Sequence, residues 1–156
     1  MIGSGSKHMK KALKVIVIIL LVVVVLFGGL VAFLSIKEYK PADKEQVTVQ
    51  NAAENKSFSG ETVKVLSFNT GYAGLGDNAD FFMDGGKAVK STDEARMREN
   101  MDEIAAIIAE SNADFTLLQE VDENSSRTYS VNQVESYIQK TGQSGAFALN
   151  YSCPFV

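Results

Sequence analysis

Asn69 and Glu120, some fifty positions apart, are the residues of this chain whose types and settings best suit chemistry. Each closes a short apolar run, Thr62-Val63-Lys64-Val65-Leu66-Ser67-Phe68 before the asparagine and Phe115-Thr116-Leu117-Leu118 shortly before the glutamate. An amide oxygen beside a carboxylate is hard oxygen chemistry. It suits Mg²⁺, which keeps several waters and takes one or two carboxylates together with phosphate oxygens. On spacing alone a glutamate at a strand end is more often a solvated turn residue, so the surrounding elements have to decide. Arg127 and Tyr129 follow within a few residues and come within reach of a bound phosphate, Arg127 by a forked contact, although both also fit an ordinary surface loop. Asp77, Asp80 and Asp84 do not have the spacing of an EF-hand and read as solvated turn residues.

The elements that must position the pair follow from periodicity. Residues 62–69 are β-branched and apolar and end at Asn69-Thr70-Gly71, which predicts a buried strand and a turn. A glycine-rich loop from Gly71 to Lys90 carries the apolar pair Phe81-Phe82, and a loop of that length inside a domain is usually functional. Ser91 and Glu94 have capping-box spacing, and Met97, Met101, Ile104, Ile107 and Ile108 recur every three or four residues, which predicts a helix to about Glu110. After Ser111-Asn112-Ala113-Asp114, the run from Phe115 reads as a second buried strand. Strand, helix and strand in this order make a βαβ unit with parallel strands, whose carboxyl ends share one sheet edge, where open α/β sheets gather ligands. Asn69 and Glu120 are then delivered to one crevice by topology. A second box at Ser130 and Gln133 opens a shorter helix with Val131, Val134, Tyr137 and Ile138, ending near Gly142, and Ala146 to Tyr151 is a further candidate strand.

Upstream, Val15 to Ile36 is free of charge and rich in Val, Ile and Leu, and spans about 33 Å as a helix. The run is too long for a cleaved signal peptide and has no good cleavage site, so it reads as a transmembrane signal anchor. Lys7, Lys10, Lys11 and Lys14 precede it without an acid, which predicts a cytoplasmic N-terminus (1–14), a membrane span (15–36), a polar linker (37–60) and an extracytoplasmic C-terminal part (61–156) of a single-pass membrane protein. The lipid bilayer is thus the expected partner of 15–36. Among 156 residues the net charge is −4, and fifteen acids against seven bases fall after Lys56, so no basic footprint of a dedicated nucleic-acid binder exists. One cysteine, Cys153, and one histidine, His8, exclude an intramolecular disulfide and a Cys/His zinc site. Asn55, Asn124 and Asn150 begin N-x-S sequons that carry no function here.

Leu66-Ser67-Phe68-Asn69-Thr70-Gly71, followed about fifty residues later by Phe115-Thr116-Leu117-Leu118-Gln119-Glu120-Val121-Asp122, resembles the opening two motifs of the endonuclease/exonuclease/phosphatase superfamily. That superfamily includes pancreatic-type deoxyribonucleases, abasic-site endonucleases, bacterial sphingomyelinases and inositol polyphosphate phosphatases. The resemblance implies an α/β fold, the N-terminal part of a four-layer deoxyribonuclease I-like sandwich. It further implies Glu120 as the metal-binding carboxylate and Asn69 as the residue that binds or orients metal and phosphate. Mg²⁺ is the implied ion, with Mn²⁺ as its substitute, and the implied reaction is hydrolysis of a phosphate ester in nucleic acid or a phospholipid head group. The Asp-x-Asn and late Asp-His motifs of the family have no counterpart here, and His8 lies before the apolar run. The expectation is an N-terminal portion, covering about residues 61–156, that is inactive alone. A non-catalytic membrane-anchored binding or scaffold module is the competing reading.

Overall fold

The computed structural model describes residues 3–52, 60, 62–91 and 93–152. The chain divides into two units, one reaching to Pro41 and the other running from Ala42 to Asn150. Cys153, Asn55 and Thr92 lie outside the described residues.

The first unit is one helix, α1 (Gly3–Lys37), long and apolar enough to cross a membrane from His8 to Lys37. It begins before the expected span because Lys, Ala and Leu at 10–14 are good helix formers. It ends where Pro41 would clash with the carbonyl of Lys37, four residues back. None of its most apolar stretch is buried against protein.

The second unit is mixed α/β. Strand β1 (Val49–Gln50) pairs antiparallel with β4 (Gly145–Ala146), and β2 (Val65–Asn69) pairs in parallel with β3 (Phe115–Gln119), in register from Val65 opposite Phe115 to Asn69 opposite Gln119. Helix α2 (Glu94–Ser111) connects β2 to β3, and α3 (Gln133–Thr141) follows them. The segment expected to be a linker thus contributes β1, too short for any periodicity to show. The Asn51 amide reinforces it by donating to Gly142 O at 3.1 Å and Gln143 O at 3.2 Å. The strand expected over 146–151 shrinks to β4.

Helix α2 starts two residues later than Ser91 would set it. Asp93, extended at φ −144°, caps it by accepting from Arg96 N at 3.0 Å, and its carboxylate also favours the positive end of the helix. Met97, Met101, Ile104, Ala105 and Ile108 form the buried stripe, on which Leu66, Phe68 and Leu118 pack from the sheet. Ile107, expected in that stripe, sits one position off it and is 46% exposed. Asn112 ends the helix in the left-handed region at φ 47°, its N–H on Ala109 O. Alanine there should destabilise the domain by about 1 kcal/mol, because an L side chain without a compensating amide strains in that region. Urea unfolding of Asn112→Ala checks it, with Asn112→Gly expected to be neutral or better.

The two strands, expected to be buried, are covered on one face only. Side chains alternate, so Val65, Phe115 and Leu117 point away from α2 and are each more than half exposed. Helix α3 also begins differently. Asn132, not Ser130, is the cap, accepting from Glu135 N at 3.0 Å, and Gln133 is the first helical residue, with Gly142 closing the helix at φ 69°.

Tyr137 of α3 lies in the core with a buried hydroxyl that has no hydrogen-bond partner among the described residues. Burial pushes its pKa up. The folded state therefore keeps a proton that the unfolded chain releases above about pH 10, so this contribution is intact below that pH and is lost as pH rises toward the folded pKa. Tyr137→Phe should flatten the alkaline side of the stability profile and raise stability at neutral pH by up to about 1 kcal/mol, since it removes an unpaired polar group. Urea midpoints at pH 7 and above pH 10 measure both effects.

Candidate functional site

Because β2 and β3 run in parallel and in register, they end together, with Asn69 opposite Gln119 and Glu120 one residue beyond. The Asn69 side chain donates from Nδ2 to Glu120 Oε1 at 2.9 Å and accepts at Oδ1 from Gly71 N at 2.9 Å. A backbone N–H can only donate, so the second bond fixes the amide orientation with its nitrogen toward the glutamate. Glu120 Oε2 has no protein partner among the described residues, and both side chains belong to exposed residues. The pair therefore presents a free carboxylate oxygen to solvent.

The backbone around it is locked past the end of the ladder. Thr70 N donates to Gln119 O at 2.9 Å, Thr70 Oγ1 donates to Glu120 O at 2.8 Å, and Tyr72 N donates to the same carbonyl at 2.8 Å. Glu120 itself is left-handed at φ 54°, as are Tyr72 at 44° and Ala73 at 55°. Such geometry costs about 1–2 kcal/mol per non-glycine residue and persists only where neighbours impose it. Here the neighbours are the hydrogen bonds that draw the two strand ends together.

A second group of side chains holds the turn after Glu120. Arg127 donates from Nε and Nη2 to the two oxygens of Asp122, both at 2.9 Å, and Thr128 Oγ1 donates to Asp122 Oδ2 at 3.0 Å. The guanidinium lies 4.1 Å over the Tyr72 ring. Hydrogen bonding to Asp122 raises the Arg127 pKa against opposing burial, with the charges of Asp122, Tyr72 and Glu120 adding to the rise. Burial raises that of Tyr72, partly offset by Arg127 and reinforced by Glu120, Asp122 and Asp84. Gln133, with no exposed surface, donates from Nε2 to Tyr72 O at 2.7 Å and accepts from Asp122 N at 3.0 Å. One side chain thus ties the loop after Asn69 to the loop after Glu120.

Asn69 and Glu120 meet directly, whereas Arg127 and Tyr129 make no hydrogen bond to either. The fork of Arg127 is occupied by Asp122, and the Tyr129 hydroxyl donates to Ser91 O at 2.9 Å beneath Lys90, whose Nζ is 5.5 Å from the ring centre. Asp77 pairs with Arg96 at 2.8 Å. Sequence reasoning missed Asp122 and Gln133. Asp122 had a readable partner five residues on, but an inward-facing glutamine at a helix start leaves no periodic trace.

No group of three or more His, Cys, Asp and Glu side chains converges among the described residues. The donor set therefore fits Mg²⁺ only as a largely hydrated ion held by Glu120 Oε2, and the Asn69 amide hydrogen bond orients that carboxylate. No protein-family model matches the chain, and neither a curated protein nor a solved structure matches it.

Proposed function

We propose that this chain is a membrane-anchored, Mg²⁺-dependent phosphoesterase related to the endonuclease/exonuclease/phosphatase superfamily, with the β2–α2–β3 unit as the opening of a four-layer sandwich. The observation that supports this reading best is the 2.9 Å bond from Asn69 to Glu120 at the common end of two parallel strands. Two residues from distant motifs meet there with one carboxylate oxygen free. Bound at Glu120, Mg²⁺ would neutralise charge on a phosphate ester during in-line attack by water. Asn69 orients Glu120, and Asp122, Arg127 and Gln133 hold the turn that carries it. Tyr129 shapes the loop below. With His8 in α1 as the sole histidine, this chain supplies the metal and phosphate side of the site. Turnover needs further groups to orient the attacking water. In this reading α1 spans the bilayer, and the second unit is extracytoplasmic.

Calorimetric titration of the full chain in detergent micelles tests the reading. One saturable event is expected with Mg²⁺ or Mn²⁺, strengthened by dimethyl phosphate, which offers the oxygens of a phosphodiester. A flat isotherm with both ions overturns it.

A further inference from the structure

The loop between β2 and α2 carries apolar surface that the site does not use. Phe82 is 52% exposed, Met83 73% and Val89 65%. They belong to one tip. Phe81 bridges Ala88, and Phe82 N donates to Ala88 O at 3.0 Å, which places Val89 beside Phe82, while a short 3-10 turn (Phe82–Asp84) presents Met83. The tip is coupled to the candidate site through rings: Phe82 packs edge-on against Phe81 at 5.1 Å, and Phe81 against Tyr72 at 6.4 Å. The Tyr72 N–H in turn holds the Glu120 carbonyl.

We propose that this tip inserts into the surface of a lipid bilayer and presents the Asn69–Glu120 site to phosphodiesters of lipid head groups. The membrane contact rests on reading α1 as a bilayer-spanning helix, and the substrate class rests on the phosphoesterase reading. Only residues 38–48 separate α1 from β1, so the tether reaches at most about 40 Å and the second unit stays within about that distance of lipid. Aromatic, thioether and branched side chains concentrated at one loop tip suit the apolar edge of the interface, and Lys87 beside them can keep its ammonium group among head groups while its stem lies in the apolar zone, with Lys90 adding a second positive charge over the Tyr129 ring. Asp80 and Asp84 balance those two charges, so apolar insertion rather than attraction to anionic lipid drives the contact. Zwitterionic phosphatidylcholine is therefore a sufficient surface.

The chain contains no tryptophan, so Phe82→Trp introduces a single indole probe. In the full chain reconstituted into phosphatidylcholine vesicles, its emission should shift to the blue, and brominated phosphatidylcholine should remove most of it, equally at low and high salt. Phe115→Trp, on the exposed face of β3, should keep the emission of an indole in water. Emission typical of water from Phe82→Trp overturns the proposal. So does a blue shift without bromolipid quenching, which would place the tip against a second copy or another protein, and so does quenching of Phe115→Trp instead. Adding Glu120→Gln to the Phe82→Trp chain should leave quenching unchanged. Quenching that stands while Mg²⁺ titration is flat separates failure of the phosphoesterase reading from failure of the membrane contact.

Discussion

Glu120→Gln is expected to abolish measurable Mg²⁺ and Mn²⁺ binding by the chain while leaving its fold intact. Loss of an outer-shell partner typically lowers metal affinity by about 10- to 100-fold, and among the described residues Glu120 is the sole carboxylate whose free oxygen stands at the common strand end, so its loss should exceed that range. The substitution preserves shape and still offers an acceptor to the Asn69 amide, and the Glu120 backbone bonds from Thr70 and Tyr72 do not involve the side chain. Stability should change by less than about 1 kcal/mol, as for an exposed position. Calorimetry and urea unfolding of the same preparation separate the two quantities. Asn69→Ala should weaken the ion less, by about 10-fold, because it removes the group that orients the carboxylate rather than the ligand itself. If Glu120→Gln binds as the unaltered chain does, Glu120 is not the ligand.

Gln133→Leu is the second large effect, and it falls on stability. Leucine fills nearly the same volume, so no cavity explains the outcome. The change orphans Tyr72 O and Asp122 N, which lose a buried and a part-buried hydrogen bond respectively. An unsatisfied buried polar group costs about 1–3 kcal/mol, which sets the expected loss at about 2–5 kcal/mol. That is a large share of the roughly 5–15 kcal/mol that holds an ordinary domain together. Gln133→Glu keeps the acceptor for Asp122 N but sets a fully buried carboxylate against Tyr72 O, so at neutral pH it should lower the unfolding midpoint at least as much. Equal stability of Gln133→Leu and the unaltered chain would mean that the two loops are held together without this side chain.

Strand, helix and strand were legible because the chain changes period where the elements change. The 97-101-104-108 spacing marks α2, and the turn residues at 69–71 and 111–114 bracket it. The meeting of Asn69 with Glu120 followed from that order, since parallel neighbours must end at one edge. What could not be read depends on contacts distant in sequence or on backbone geometry. Ser91 and Asp93 both suit a cap, and only the path of the loop selects Asp93, leaving the Ser91 backbone to bind Arg127 and Tyr129. Both faces of β2 and β3 read as apolar, so the exposure of Val65 and Phe115 was hidden by their own residue types. The left-handed turn at Glu120 and the orientation of the Asn69 amide depend on Tyr72 and Gly71, which no pairwise spacing reveals.

We propose that a divalent ion is held where β2 and β3 end. Paramagnetic broadening by substoichiometric Mn²⁺ in the amide spectrum of the isotopically labelled full chain reads that position directly. Broadening should be strongest at Thr70, Gly71, Tyr72 and Val121 and should vanish in Glu120→Gln. Broadening centred on Asp77, Asp80 and Asp84, or none localised to the strand ends, would contradict the account.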